Sequence, residues 1–312
     1  MPNLIIVDIT ETEQTKLDSN GNLKEINGYG TLTIKNPSNK SKLWDLNCDL
    51  KEIVNTTMDS REIALDSLNP SQETSKSYQI KNLKKPSLVV TELFNLSNQY
   101  NKYSIKIKVT NAIDHLISNI KISRELPDKF KNIEYETPEM GKMKINTVDG
   151  VSMLEWDILE LIARNSTEVL VKFNMDEVKI KNSIGSLNVS YDVNKYQLSR
   201  LKPEILSNTN ISTKIHKQSQ TEEIWDCRIE FLNASEFQVK LENVKVINKE
   251  STGSKVIISQ APNKVLNPLQ SWIHNFQIKS LKNPKLNSII EYFPLFVVIN
   301  HVIGDIEKES NV

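Results

Sequence analysis

Two stretches of the chain, 198 positions apart, carry nearly the same text. Leu68-Asn69-Pro70-Ser71-Gln72 runs on through Gln79-Ile80-Lys81 to Leu88, and Leu266-Asn267-Pro268-Leu269-Gln270 runs on through Gln277-Ile278-Lys279 to Leu286, without a gap. Eleven of the 21 aligned positions are identical, where ordinary residue usage gives about one or two by chance. A chain that repeats itself in this way is assembled from copies of one supersecondary unit, so its fold is modular.

Around the copies the dominant signal is alternation with period two. Tyr103, Ile105, Ile107 and Val109 alternate with Ser104, Lys106, Lys108 and Thr110, the pattern of an antiparallel strand with one face in a core and the other in water. Trp44, Leu46, Cys48 and Leu50 alternate with Asp45, Asn47 and Asp49, and Trp225, Cys227, Ile229 and Phe231 with Asp226, Arg228 and Glu230. No window keeps apolar residues at helical spacing over three turns, and Asn, Ser, Asp and Pro punctuate the pattern at short intervals. The expectation is an all-β chain. Its 312 residues exceed one core. With the repeat, the expected architecture is three tandem immunoglobulin-like β-sandwich domains over 1–87, 88–203 and 204–312, the third related to the first. Lys84-Lys85-Pro86 and Leu201-Lys202-Pro203 mark the junctions, because proline cannot donate to a sheet ladder and favours an extended connector.

Lys+Arg and Asp+Glu both number 39, so no net field draws the chain to nucleic acid or to an anionic membrane, and neither is expected as a partner. The longest apolar stretches, such as 293–299, are too short to cross a bilayer as a helix. The start, Met1-Pro2-Asn3-Leu4-Ile5-Ile6, has neither the basic lead nor the long apolar run of a secretory signal, which points to the cytoplasm. Glycosylation sequons at Asn39, Asn55, Asn95, Asn165, Asn188, Asn210 and Asn233 keep the cell surface as the alternative. Cys48 and Cys227 lie in different modules, each on an alternating strand near a tryptophan, and are expected as buried reduced thiols.

In the middle module, Ile107-Lys108-Val109-Thr110-Asn111 is followed by a strand ending in Leu126-Pro127-Asp128, then by Leu154-Glu155-Trp156-Asp157-Ile158, then by Leu161 leading into Val169-Leu170-Val171. In that order the motifs resemble the conserved-repeat domains, a family of unknown function that occurs in tandem in archaeal and bacterial surface proteins. That family shows a valine-threonine-asparagine strand end, a leucine-proline turn, a tryptophan strand, and a leucine-x-x-glycine turn into a last alternating strand. Arg164-Asn165 stands where the family has its glycine turn. The resemblance runs from 103 to 175, implies an immunoglobulin-like sandwich and brings no catalytic residues.

His115, His216, His274 and His301 stand singly, away from both cysteines, whereas a zinc centre needs three or four converging ligands. There is no glycine-rich phosphate loop and no Gly-x-Ser-x-Gly elbow. Asp157 with Glu160, and Glu222 with Glu223, read as solvated turns, because paired carboxylates need burial to separate their pKa values. No catalytic, cofactor or metal site is expected. The expected function is a non-enzymatic protein-protein interaction scaffold or adaptor, with a self-assembling cell-envelope or filament component as the alternative.

Trp44, Trp156 and Trp225 are expected as core anchors. Trp272 stands where the first copy has Thr74 and is expected at the surface, where an exposed tryptophan marks a contact site. From tryptophan to the shared Leu-Asn-Pro, the first copy spans 24 positions, from 44 to 68, and the second 41, from 225 to 266. The 17 extra positions, around 243–262, make either an added hairpin or a docking loop. The partner surface is accordingly expected on the third module, from Lys249, Glu250 and Trp272 with Tyr292, Phe293 and Phe296 of a C-terminal strand.

Overall fold

The computed structural model describes residues 4–97, 101–148, 151–175, 185–250 and 253–308. Alternation prevails: among the described residues every regular element is a strand except the 3-10 turn Ile53–Asn55. The chain opens with β1 (Ile5–Leu17), β2 (Leu23–Lys35), β3 (Leu43–Lys51), β4 (Glu62–Leu68) and β5 (Glu73–Ile80). It continues with β6 (Leu88–Leu96), β7 (Lys102–Asn111), β8 (Ile117–Leu126), β9 (Lys131–Tyr135), β10 (Lys142–Val148), β11 (Val151–Leu161), β12 (Ser166–Asn174) and β13 (Leu187–Asn194). Then follow β14 (Lys202–Asn208), β15 (Ile211–Ser219), β16 (Ile224–Asn233), β17 (Val239–Glu250), β18 (Gly253–Gln260), β19 (Lys264–Leu266), β20 (Ser271–Lys279), β21 (Leu286–Pro294) and β22 (Phe296–Lys308).

The strands repeat one six-stranded plan three times, with strands a-b-e in one layer and f-c-d in the other. The a-b-e layers are β1-β2-β5, β6-β7-β12 and β15-β16-β20. The f-c-d layers are β14-β3-β4, β13-β8-β11, and β21-β17 with β18 and β19 in place of strand d. Three hydrophobic clusters fill the gaps between paired layers, which makes each unit a β-sandwich.

The correspondence reaches single residues. Strand b runs in each unit to a buried asparagine, Asn36, Asn111 or Asn233. Its side-chain amide donates to the carbonyl at the end of strand d: Leu68 at 3.1 Å, Leu161 at 2.9 Å, Leu266 at 3.0 Å. Three residues on, Ser71, Arg164 and Leu269 adopt φ of 60°, 60° and 62°, so Arg164 takes the left-handed conformation that a glycine would supply. The two text copies therefore hold the same turn and the same strand e. The middle unit builds that turn with other side chains.

Strand c bulges in every unit, at Asp45 (φ 52°), at Asn119 (φ 53°) and between Leu241 and Asn243. In β3 the bulge changes the phase read from the sequence. Leu43 enters the core, and Trp44 is left half-buried. Trp156 is fully buried, its indole donating to the Met140 carbonyl at 2.9 Å, whereas Trp225 is half-buried and bonds the Ser280 carbonyl at 3.1 Å.

The units interlock. β14 follows the whole second unit in sequence, yet it is strand f of the first, so the division expected at 203/204 falls inside it. β22 follows the third unit but runs between β1, in parallel, and β13, antiparallel, joining two layers into one eight-stranded sheet. Phe237, between β16 and β17, is fully buried in the first unit's core.

β1 runs along both of the first two cores. Ile5, Val7 and Ile9 belong to the first and Leu17 to the second, and between them Glu11 and Glu13 are fully buried. Tyr78 crosses Gly30 so that its hydroxyl donates to Glu11 at 2.7 Å. Tyr191 crosses Gly304 in the same way and donates to Glu13 at 2.6 Å. Cβ atoms at Gly30 and Gly304 would lie 2.2 and 1.9 Å from these rings, so no larger residue fits. Glu11 also accepts from the Leu198 amide and from the Ser199 amide and hydroxyl, and Glu13 from the Ser87 amide at 2.8 Å and hydroxyl at 2.7 Å. Each carboxylate thus ties a tyrosine of one unit to the chain leaving the other.

Gly304→Ala should cost about 1–3 kcal/mol in chemical unfolding by forcing the Tyr191 ring aside. Burial lifts the Glu13 carboxyl above its ordinary value of 4.5, outweighing the hydrogen bonds from Tyr191 and Ser87 that lower it. A carboxyl raised by folding contributes stability that is whole below its unfolded pKa and declines as pH rises through the folded one. Urea unfolding between pH 4 and 8 should therefore show the native chain losing stability relative to Glu13→Gln as pH rises above about 4.5; parallel curves would contradict it.

Candidate functional site

In an antiparallel pair, alternate residues turn their backbone N–H and C=O toward the partner strand and the rest turn them away. Two bonds set the phase of β20, Asn233 N–H to the Gln270 carbonyl at 3.0 Å and Ser280 N–H to the Glu223 carbonyl at 2.7 Å. Even-numbered residues therefore bond to β16, and Ser271, Ile273, Asn275, Gln277 and Lys279 direct their backbone groups away from the sheet.

Toward the C-terminal end of the strand, the equivalent groups in the other two units are occupied. In the first, the Thr57 amide donates to the Gln79 carbonyl at 3.0 Å, and the Lys81 amide to the Asn55 carbonyl at 2.7 Å. In the second, β9 pairs antiparallel with β12, and the Glu136 amide donates to the Leu170 carbonyl at 3.0 Å. The shared turn aligns Gln79 with Gln277, Lys81 with Lys279 and Leu170 with Asn275. Both sealing segments come from the c-to-d connection. In the third unit that connection is the β17–β18 hairpin, which stays in its own layer. Among the described residues nothing pairs with the outer edge of β20. The extra positions around 243–262 thus build a hairpin, and the hairpin leaves an edge open.

The inner face of β20 carries Trp272, His274 and Phe276, opposite Phe231, Ile229 and Cys227 of β16. All three are half-buried and stacked in a row: Trp272 and His274 have ring centres 5.7 Å apart at 2°, His274 and Phe276 6.3 Å at 19°. Trp272 and Phe276 pack on the third core, as does Ile258 of β18. On the outer face Ser271, Ile273, Asn275 and Gln277 are exposed. Gln277 donates to Asp226 at 2.9 Å, and Lys279 pairs with Glu223 at 3.3 Å.

Of the six residues expected to form a partner surface, Trp272 lies at this edge. Lys249 is exposed at the far end of β17, and the Glu250 side chain lies outside the described residues. Tyr292 donates to the Thr209 carbonyl at 3.0 Å and packs beside Phe231, and Phe293 lies under the Lys240 ammonium at 5.5 Å. Lys240 is the register partner of Phe293, and Lys249 is nine residues farther along β17, roughly 25–30 Å at the usual strand rise. Phe296 begins β22 and packs on the first core. The six do not form one surface. Sequence reasoning passed over His274 and Phe276, although Trp272-x-His274-x-Phe276 is itself a period-two signal.

Among the described residues no group of three or more His, Cys, Asp or Glu is placed to hold a metal, and no helix is long and apolar enough to cross a membrane. Cys48 and Cys227 are both free and buried. Burial, with Asp49 adding to it, pushes the Cys48 thiol up to about 12. Iodoacetamide should therefore leave Cys48 unmodified in the native protein at pH 8 and alkylate it after denaturation.

Amide exchange followed by NMR should alternate along β20, fast at Ile273, Asn275 and Gln277 and slow at His274, Phe276 and Ile278. The Lys172 amide, opposite Glu134 of β9, should be protected. Uniform protection along β20 would mean that its edge is covered.

No family model matches the chain, and no curated protein matches it. Among solved structures it is similar to the Fcho1 mu-homology domain of Danio rerio with bound Eps15 peptide, at 13% identity over 66% of this chain and 90% of that one, with a TM-score of 0.46. It is also similar to the yeast delta-COP-I mu-homology domain complexed with a Dsl1 WxWxV peptide, at 11% identity over 99% and 97% of the two chains, with a TM-score of 0.44. At these TM-scores the likeness carries no argument about function.

Proposed function

We propose that the chain is a non-enzymatic protein-interaction scaffold of three immunoglobulin-like sandwiches, and that a partner joins it as an added strand on β20. One observation supports this reading above the others. The outward backbone groups of Asn275, Gln277 and Lys279 are open, whereas the chain's own c-to-d connections bond the equivalents of Gln277 and Lys279 in both sister units and that of Asn275 in the second. Open strand edges pair with other chains unless something blunts them. A partner strand gains affinity from the backbone groups and specificity from alternate side chains, here against Trp272, His274 and Phe276. The two buried free thiols fit a cytoplasmic location. A glycan on Asn233 is incompatible with the fold, since its amide donates to the Phe237 and Leu266 carbonyls inside the third unit.

Proline tests the edge without touching the sheet. The Asn275 N–H points away from β16, so Asn275→Pro removes an outward donor and keeps the β16 ladder. Ser77→Pro is the matching control on β5, whose outward edge carries no role in this proposal. The expected outcome is a partner that binds the native chain and Ser77→Pro but not Asn275→Pro, with all three melting cooperatively at similar temperatures. Equal binding by Asn275→Pro would remove β20 from the reading.

A further inference from the structure

We infer that the segment docked on β20 is an extended peptide with an apolar centre and an acidic residue toward each end, an inference that rests on the docking edge proposed above. Residues 251–290 contain Lys255, Lys264, Lys279, Lys282 and Lys285 and no Asp or Glu. The whole chain carries 39 acidic residues in 312, one in eight, so forty positions at that average would hold five. Positive charge therefore goes unbalanced within β18, β19, β20 and the loop that follows, while the neighbouring acids Glu223 and Asp226 are engaged by Lys279 and Gln277. Among the described residues Lys279 is the only one of these lysines with an ion-pair partner, Glu223.

Register places two of the lysines. Lys255 lies opposite Asn248, and Lys264 opposite Leu241. Directly opposed residues leave a sheet on the same face. Asn248 and Leu241 are both buried, on the face of β17 that carries Val244 and Val246 into the third core. Lys255 and Lys264 share that face but stand exposed on the edge strands β18 and β19. Each therefore borders the opening between this layer and β20. Between them Ile258, opposite Val246, packs on the core, and across the opening stands the row of Trp272, His274 and Phe276. The opening is apolar at its middle and cationic at both ends.

Asn248 and Leu241 are seven residues apart on β17, roughly 20–25 Å, which an extended peptide covers in about seven residues. The sister units give the direction, since β9 on β12 and the Thr56–Ile80 bridge are both antiparallel. They also show what faces inward. Phe130, just before β9, is buried and stacks on Phe173 at 3.9 Å and 12°, and Ile133 packs on the second core.

The probe is the fluorescein-labelled peptide Asp-Ser-Phe-Thr-Leu-Thr-Phe-Ser-Asp, which in one strand phase turns both phenylalanines, the leucine and both aspartates inward. Its twin carries lysine at both ends. Anisotropy titrations use the full chain. The expected result is that the acid-ended peptide binds about tenfold more tightly than the lysine-ended twin, and that the preference inverts in the double variant Lys255→Glu with Lys264→Glu. Asn275→Pro should bind neither, and added salt should narrow the preference. If the native chain binds both peptides alike and Asn275→Pro loses both, strand addition stands and the acidic partner is overturned. If the native chain binds neither peptide, the inference is overturned, while the docking edge is still judged by partner loss in Asn275→Pro. If peptide binding persists in Asn275→Pro, edge and ligand fail together. Dimerisation that Asn275→Pro abolishes would put a second copy of the chain on β20 and would equally overturn the acidic peptide.

Discussion

Two carboxylates on one strand hold the first two sandwiches together. A buried carboxylate is costly unless hydrogen bonds replace its water, and each of this pair is supplied from both sides. Glu11 takes Tyr78 of the first unit and Ser199 of the chain leaving the second; Glu13 takes Tyr191 of the second and Ser87 of the chain leaving the first. The exchange works only because Gly30 and Gly304 let the tyrosine rings lie flat across the intervening strands. A second ion cluster closes the far end of the same region, where Glu92 of β6 accepts from Arg124 of β8 at 2.6 Å and from Lys308 at the end of β22. The last strand is thereby tied to the opposite layer of the second sandwich.

With that joint in place, the three copies of the six-stranded plan are free to differ where the joint does not need them. The asparagine clamp, the left-handed turn residue and the strand-c bulge are kept in all three units, and the asparagine amide satisfies the carbonyl that ends strand d. The c-to-d connection has no such duty. It covers the C-terminal end of strand e with a short turn in the first unit and more of its edge with β9 in the second, and in the third it lengthens into β17–β18 and leaves that edge open.

The third unit is nonetheless firmly seated. Phe237 fills the first core, Glu236 accepts from the Ser38 hydroxyl at 2.7 Å and the Asn39 amide at 3.1 Å, and the Glu236 amide donates to the Ser41 hydroxyl at 2.8 Å. These contacts involve the b-to-c connection, not β20. A strand added to β20 therefore meets an edge whose backbone is already ordered by β16 and whose aromatic row is already stacked, so little ordering entropy is lost on the protein side.

Period-two alternation is local, and it was enough to show an all-β chain with most of its core-facing residues. The repeat was legible because its turn is built from side chains that the text preserves: the Gln72 and Gln270 side chains accept from the Asn69 and Asn267 amides at 2.9 and 2.8 Å. The middle unit makes the same turn around Arg164 and Asn165, so comparison of letters could not find it. Trp44 was misplaced because a bulge shifts phase by one residue without leaving a mark in the alternation. The sequence determined which segments are strands and which faces of them are apolar, since both follow from neighbouring residues. Only the tertiary structure decided that β14 completes the first unit, that β22 lies between β1 and β13, and that among the described residues the C-terminal end of β20, unlike those of β5 and β12, is left uncovered, because each of these depends on which distant segment supplies the backbone partner.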